Sequence, residues 1–268
     1  MINLISCSPK LKSRVTKSLP ALDKTELVVV LDIYDDQIIA AEKLGEIKAL
    51  DNGFSENCTF FENIQNLKTL ARKYGANLIK LTKHKKANNF SSCERLWANI
   101  YYVKNVKRFE NEIIWSQDRK LTWADFKGKP DQKVYPEAVA VTNSGFGFES
   151  GINLFKDDNV FVQAVFYNHG SWVLQEGRTD YVLKHEQIHF DITEIYARML
   201  RKALTDANVT SNNYSKALSI FNDIKMKWEE RQEYYDYQTK HGTKLETQEK
   251  WEAIIEIELA KFDLYKTN

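Results

Sequence analysis

The chain has 268 residues, of which 43% are hydrophobic and 28% are charged, a composition typical of a water-soluble protein with a substantial core. Its 38 basic and 37 acidic residues leave a formal net charge of +1, so we expect no nucleic-acid partner. No apolar run approaches the roughly 20 residues that a membrane helix needs. The length allows one large domain or two of ordinary size.

The N-terminal segment contains a short motif that resembles a bacterial lipoprotein box. Leu4, Ile5 and Ser6 precede Cys7, and a polar, basic stretch follows. The resemblance implies that Cys7 is acylated after removal of a signal peptide, although only six residues precede it here, with no full basic and apolar region. An ordinary flexible terminus is the alternative. We predict that residues 1–22 form a tether and that any membrane association depends on a lipid at Cys7.

The sequence pattern of residues 23–106 predicts a small α/β domain with the element order β-β-α-β-β. Ile64, Leu67 and Ala71 recur at helical spacing, and Gly75 follows as a helix stop. The helix is expected at 63–74, and the strands are expected at 26–33, 44–50, 77–82 and 95–103. This is sufficient for a sandwich of one helix on a sheet.

The cysteines suggest a compartment. There are three, so one stands apart if the other two pair. An extracytoplasmic location would explain Cys58 and Cys93 as a disulfide, since such bonds persist in oxidising compartments; two buried free thiols are the alternative. Together with the segments 41–47 and 71–77, these two cysteines give a segment that resembles small domains of bacterial envelope stress-sensor lipoproteins.

Residues 107–268 differ from the preceding segment in their aromatic content and in the length of their helical patterns. Aromatic residues are dense near 115–126, and three long helical patterns occupy the C-terminal half. Strands are expected near 113–115, 138–142 and 159–167, and helices at about 179–204, 212–240 and 246–262. The short connection between the first two helices predicts that they are antiparallel neighbours.

The strongest motif is His-Glu-x-x-His, formed by His185, Glu186 and His189 inside the first of these helices. Positions 185 and 189 lie one turn apart on the same helix face, so two imidazoles can bind one cation. Glu186 projects beside them and can accept a proton from a metal-bound water. The pattern predicts a zinc site for hydrolysis. The alternative is a helix with two surface histidines and a solvated glutamate.

A catalytic zinc ion needs a third protein ligand, which this helix does not offer. The metzincin arrangement is excluded because Ile192 and Ile195 occupy the positions of its glycine and third histidine. His241, at the end of the next helix, is the preferred candidate, because an antiparallel helix would bring its far end toward His185. His169, in an expected turn between a strand and a helix, and Glu233 remain alternatives.

Three residues near His241 are candidates for supporting roles. Asp236 could orient a ligand, and Tyr235 or Tyr237 could donate a hydrogen bond to a developing oxyanion. Aromatic residues in a helix also serve packing, so these roles are hypotheses.

The region from Trp115 to about Trp251 resembles a bacterial family described as predicted secreted Zn-dependent proteases, also catalogued as a domain of unknown function. The matching segments are 121–126, 171–172, 183–192, 197–198 and 235–242. The resemblance implies a zinc peptidase. We therefore expect an α+β protein, in which the small sandwich precedes a zincin-like domain with an antiparallel sheet and three long helices.

The leading hypothesis is a zinc-dependent peptidase of the bacterial cell envelope, periplasmic or secreted, that hydrolyses peptide or protein substrates with Glu186 as general base. The alternative is a non-enzymatic envelope lipoprotein, a sensor or assembly factor, with a structural metal site. A fourth protein ligand would favour the alternative, because structural zinc sites are closed.

Overall fold

A computed structural model of the protein describes residues 9–53, 55, 57–88, 91, 93–150, 160–209 and 213–266. They form two compact units, the first up to Glu110 and the second from Asn111 onward, except that Ser150 is grouped with the first. Each unit combines helices with mainly antiparallel strands, which confirms the predicted α+β class. No helix in these ranges is long and apolar enough to cross a membrane. Cys7 lies outside the described residues, so its lipidation stays a prediction.

The N-terminal unit is built on a five-stranded sheet. Its strands are β1 (Lys10–Val15), β2 (Val29–Leu31), β3 (Lys43–Leu50), β4 (Leu78–Lys85) and β5 (Arg95–Tyr101). The strand order is β1-β3-β5-β4-β2, and neighbours are antiparallel except for the parallel pair β2 and β4. The four predicted strands and the helix between them are therefore present, with one additional strand.

The additional strand lies within the segment that the sequence analysis assigned to a tether. β1 pairs with β3 along its whole length, from Lys10 opposite Leu50 to Val15 opposite Gly45. Five of its six residues are exposed. An edge strand that is exposed on both faces needs no hydrophobic alternation, so its sequence resembles that of a polar tail. Its basic side chains disfavour pairing with the edge of another chain. The structure thus corrects the tether prediction for residues 10–15.

The helix α1 (Phe60–Lys73) covers this sheet. A capping box fixes its start: Glu62 N donates to Thr59 Oγ1, and Thr59 N donates to the Glu62 carboxylate. The apolar face predicted from helical spacing, Ile64, Leu67 and Ala71, is buried in the core of the unit. Helix and sheet together therefore bury one continuous aliphatic layer.

The predicted disulfide is present. Cys58 immediately precedes the α1 cap residue and Cys93 lies two residues before β5, and both side chains are fully buried. Their sulfurs are bonded, with the Cα atoms 5.1 Å apart, which is within the usual range of about 4.4–6.8 Å. The bond ties the beginning of the helix to the sheet.

The C-terminal unit contains two small sheets and three long helices. Its strands are β6 (Glu112–Ile114), β7 (Ala140–Val141), β8 (Ser144–Ser150), β9 (Val160–Tyr167) and β10 (Trp172–Val173). One sheet has the order β6-β9-β8, and β7 pairs with β10. The helices are α2 (Asp180–Asp206), α3 (Tyr214–Thr239) and α4 (Leu245–Lys261). All three lie close to their predicted positions, whereas β8 was missed because Gly145 and Gly147 weaken its strand pattern.

The helix α2 is the central element of this unit. It begins at the cap residue Thr179, whose hydroxyl accepts from Val182 N. One side, including Phe190 and Leu200, lies in the core that contains β9, and the other side, including Ile192, packs with residues of α3 and α4. A helix buried on two sides presents its polar residues to protein, so each of them needs a partner or a function.

Candidate metal centre

His185 and His189 lie one turn apart on α2, as predicted from their spacing. Their Nε2 atoms are 3.2 Å apart, and the ring centroids are separated by 4.8 Å. Both side chains are largely buried. The two imidazoles thus converge on one point between α2 and α3.

The third group at this point is the carboxylate of Asp236 on α3. Its Oδ1 lies 3.2 Å from His185 Nε2 and 3.1 Å from His189 Nε2. Zinc bonds of about 2.0–2.1 Å at tetrahedral angles place ligand atoms roughly 3.3 Å apart, close to these separations. Within the described part of the chain, these three residues are the one group with the spacing of metal ligands. Two imidazoles and one carboxylate are also a common donor set for catalytic zinc.

The register between two antiparallel helices explains why Asp236 occupies this position. Trp228 Nε1 donates to Thr193 Oγ1 at 3.1 Å, Gln232 contacts His189, and Asp236 contacts His185. Each step of four residues forward along α3 is a step of four backward along α2. One turn of α3 therefore faces one turn of α2, and position 236 is the one that meets His185.

This register also determines where the predicted third ligand lies. His241 is 77% exposed, and its Nδ1 is 3.7 Å from Asp236 Oδ2 instead of facing the imidazole pair. The helix ends at Thr239, and Lys240, His241 and Gly242 all have positive φ. After this turn Gly242 lies against the ring of His185, where an added Cβ would be 3.0 Å from Cγ. The structure thus places Asp236 beside the imidazoles and points His241 outward.

The two alternative ligands lie elsewhere. His169 is in the turn that joins β9 to β10, not in a turn before a helix as expected. Glu233 is exposed on α3. Neither belongs to the group of three.

Electrostatics favours a cation at this point. Burial lowers the pKa of His189, but the hydrogen bond and charge of Asp236 outweigh it and raise that pKa to about 9. Burial raises the pKa of Asp236, but hydrogen bonds from the two histidines hold it below its usual range. A proton is therefore held between the imidazoles and the carboxylate, at the point where a metal cation would sit.

Gln232 fixes the orientation of one imidazole. The His189 Nδ1–H donates to Gln232 Oε1 at 2.7 Å, and Gln232 Nε2 donates to the His189 carbonyl at 2.9 Å. With Nδ1 protonated, the lone pair of Nε2 is available to a metal ion. The sequence analysis named Asp236 as a residue that could orient a ligand, not as one that converges with the two imidazoles, and it did not name Gln232. The signal was present, since positions 228, 232 and 236 repeat every four residues on α3, as 185 and 189 do on α2.

Three polar atoms beside the imidazoles are buried and have no hydrogen-bond partner among the described residues: His185 Nδ1, Glu186 Oε2 and the Tyr235 hydroxyl. Glu186 is 4% exposed, and its charge raises the pKa of both His189 and Tyr235. Buried polar groups normally have partners, so this concentration indicates a site that is completed by a ligand or water.

The two tyrosines differ in position. The ring of Tyr235 is fully buried and stacks on His185 with a centroid distance of 4.7 Å. Burial and the charge of Glu186 raise the pKa of Tyr235, so its hydroxyl remains a proton donor. Tyr237 is 78% exposed. Of the two predicted oxyanion donors, only Tyr235 lies in contact with the imidazole pair.

Comparison with known proteins gives a match to one family model over part of the chain and no function. Residues 175–242 match the model of a family described as bacterial protein of unknown function (DUF922). The match covers α2, α3 and the turn after them, and so includes all three residues of the group that could hold a metal ion. No curated protein and no solved structure matches the chain.

Proposed function

We propose that this protein is a zinc-dependent peptidase of the bacterial cell envelope. His185, His189 and Asp236 would be the zinc ligands, and Glu186 the general base. The observation that carries the proposal is the meeting of three ligand atoms within 3.2 Å of one another beside a buried carboxylate oxygen that has no described partner.

The number of ligands supports a catalytic site over a structural one. Catalytic zinc keeps an open coordination position, whereas structural zinc is closed by four protein ligands. No fourth histidine, cysteine or carboxylate joins the group among the residues that the structure describes. This favours the enzyme over a sensor or assembly lipoprotein with a structural metal.

The chain's own residues would perform the proton transfers. Bound zinc would supply Lewis-acid polarisation of the scissile carbonyl and a water of lowered pKa, near ~7. Glu186 would take the proton of that water through its unpartnered Oε2 and then deliver it to the leaving amine. The Tyr235 hydroxyl, kept protonated by burial, would donate a hydrogen bond to the developing oxyanion. A peptide substrate is favoured because the His-Glu-x-x-His pattern on a helix is typical of metallopeptidases.

The envelope location is supported by the Cys58–Cys93 disulfide, since such bonds persist in oxidising compartments. The lipid anchor at Cys7 is a separate part of this proposal, because Cys7 lies outside the residues that the structure describes. Mass spectrometry of the protein isolated from its source would show whether the mature chain begins at an acylated Cys7.

The test of activity uses a substitution that leaves the ligands in place. Glu186→Gln nearly preserves volume, so zinc binding should be retained while cleavage of a broad peptide library falls by roughly 10²-fold or more. Glu233→Gln is the matched control, because it makes the same chemical change at an exposed position on α3. Zinc content is measured for all proteins by elemental analysis.

Zinc-loaded wild-type protein that cleaves no peptide, or a Glu186→Gln variant that is as active as wild type, would contradict the proposal. Reduced activity in Glu233→Gln as well would show that the effect is not specific to the buried carboxylate.

A further inference from the structure

A cavity of about 540 Å³ lies where α3 ends and α4 begins. Its lining includes Asp236 and three lysines, Lys240, Lys244 and Lys250. The volume is within the usual range of ligand sites, roughly 300–1,000 Å³. This cavity is large enough for one or two amino-acid residues of a bound peptide.

The wall of the cavity carries an excess of positive charge. None of the three lysines forms an ion pair with any residue that the structure describes. The one lining carboxylate, Asp236, is already engaged with both imidazoles. Glu246 and Glu249 are also on α4 but do not line the cavity. Because the whole chain has a net charge of only +1, three unpaired cations in one cavity are a local feature that attracts anions.

The first turn of α4 adds to this potential. Lys244 is the N-cap residue of this 17-residue helix, and no side chain caps its free N–H groups. Lys244 and Thr247, both at this end of the helix, line the cavity. The positive end of the helix dipole therefore acts in the same direction as the lysines.

The cavity adjoins the candidate metal centre. Asp236 is a member of both: its Oδ1 faces the imidazoles, and its Oδ2 faces His241, which is also in the lining. A peptide bound at the metal centre would thus place its neighbouring residue against the lysines.

We propose that this cavity binds a carboxylate of the substrate next to the bond that is cut. The inference rests on the proposed peptidase function and adds its substrate class, namely peptides with a negative charge beside the scissile bond. The carboxylate has two possible sources, the free C-terminus of the substrate or the side chain of an aspartate or glutamate. The lysines recognise either, and the experiment distinguishes the two.

The experiment measures binding to the zinc-loaded Glu186→Gln protein, in which turnover is suppressed. The probes are acetyl-tetraalanine as free acid and as amide, and amide-capped peptides that differ only by glutamate or glutamine at one internal position. Binding is measured by titration calorimetry. At least one carboxylate probe should bind about tenfold or more tightly than its neutral partner. If this is the free acid, the cavity takes the C-terminus of the substrate; if it is the glutamate peptide, the cavity takes an acidic side chain.

Lys244→Gln and Lys250→Gln should each weaken binding of the carboxylate probe by about fivefold or more and leave the neutral probe unchanged. Lys227→Gln is the matched control, since this lysine is exposed on α3 and is not part of the lining. It should bind both probes as the parent protein does.

Equal binding of acid and neutral probes, absence of binding by every carboxylate probe, or equal effects in Lys244→Gln and Lys227→Gln would overturn the inference. Cleavage of peptides by the wild-type protein without a charge preference would also overturn it and leave the peptidase proposal standing. If no peptide is cleaved, the proposed function fails, and the binding comparison still decides whether the cavity takes a carboxylate.

Discussion

Two buried carboxylates of α2, Glu194 in its C-terminal half and Glu186 in its N-terminal half, differ in whether they have hydrogen-bond partners. In the C-terminal half, Glu194 accepts from Arg198 at 2.9 Å and from Arg201 at 3.0 Å. The arginines also donate to backbone carbonyls, so every charge has a partner. In the N-terminal half, Glu186 Oε2 and His185 Nδ1 are equally buried and have no described partner. The same helix therefore contains a cluster whose charges are all paired and a candidate metal centre with unpaired buried polar atoms, and this difference in hydrogen bonding distinguishes them.

The comparison is tested most strongly by making the same change, glutamate to glutamine, at each of the two positions. Glu194→Gln leaves two buried arginines without a counter-charge and should lower the free energy of unfolding by about 3–5 kcal/mol. Glu186→Gln removes a carboxylate that has no partner, so it should change that free energy by less than about 1 kcal/mol. Urea denaturation of both proteins in the presence of a chelator measures the difference. Equal destabilisation would show that Glu186 is a structural residue like Glu194.

The pH dependence of stability gives a second, smaller effect. His189 has a pKa of about 9 in the folded metal-free protein against 6.5 when unfolded, so its contribution is fully present below pH 6.5 and is lost between pH 6.5 and 9. The loss should be on the order of 3 kcal/mol. Zinc binding requires neutral imidazole, so stabilisation by zinc should increase over the same range. Thermal denaturation with and without zinc measures both slopes.

The Asp236→Asn variant is the control for this prediction, because it removes the charge that raises the pKa of His189. Its metal-free stability should be nearly flat between pH 6.5 and 9. A wild-type slope that persists in Asp236→Asn would contradict the assignment.

Gln232 should have the smallest of these effects. Its Oε1 accepts the hydrogen bond from His189 Nδ1, and this fixes the orientation of one of the two imidazoles. Gln232→Ala should weaken zinc binding by about tenfold, the usual scale for a residue that orients a ligand. Competition with a chromophoric chelator measures the affinity. The ring of Tyr235 also contacts that of His189, with centroids 5.0 Å apart, and unchanged affinity would show that this contact is sufficient to orient His189.

Local patterns were sufficient to predict much of the structure. The helical spacing of α1 and α2 and the face shared by His185 and His189 follow from periods of a few residues, and the structure confirms them. The disulfide was also predicted, as the pairing that an extracytoplasmic location would explain, and it is present. The strand β1 was missed because an edge strand exposed on both faces has no alternation to detect.

Which residue lies beside the two imidazoles depends on information that a local pattern does not contain. An antiparallel arrangement of α2 and α3 was predicted, but a ligand's identity requires the register between them, to within one helical turn. The chain also leaves α3 in left-handed conformations that direct His241 outward. The four-residue repeat of Trp228, Gln232 and Asp236 would have given the register, because it matches the repeat of His185, His189 and Thr193 on α2.

The central claim is that Asp236 completes the metal centre, and zinc binding by two single variants tests it most directly. Asp236→Ala removes a ligand atom that lies within 3.2 Å of both imidazoles, so zinc affinity should fall by about 100-fold or more. His241→Ala removes an exposed side chain outside the group and should bind one zinc ion with nearly wild-type affinity. Loss of zinc from His241→Ala together with full occupancy in Asp236→Ala would contradict the account.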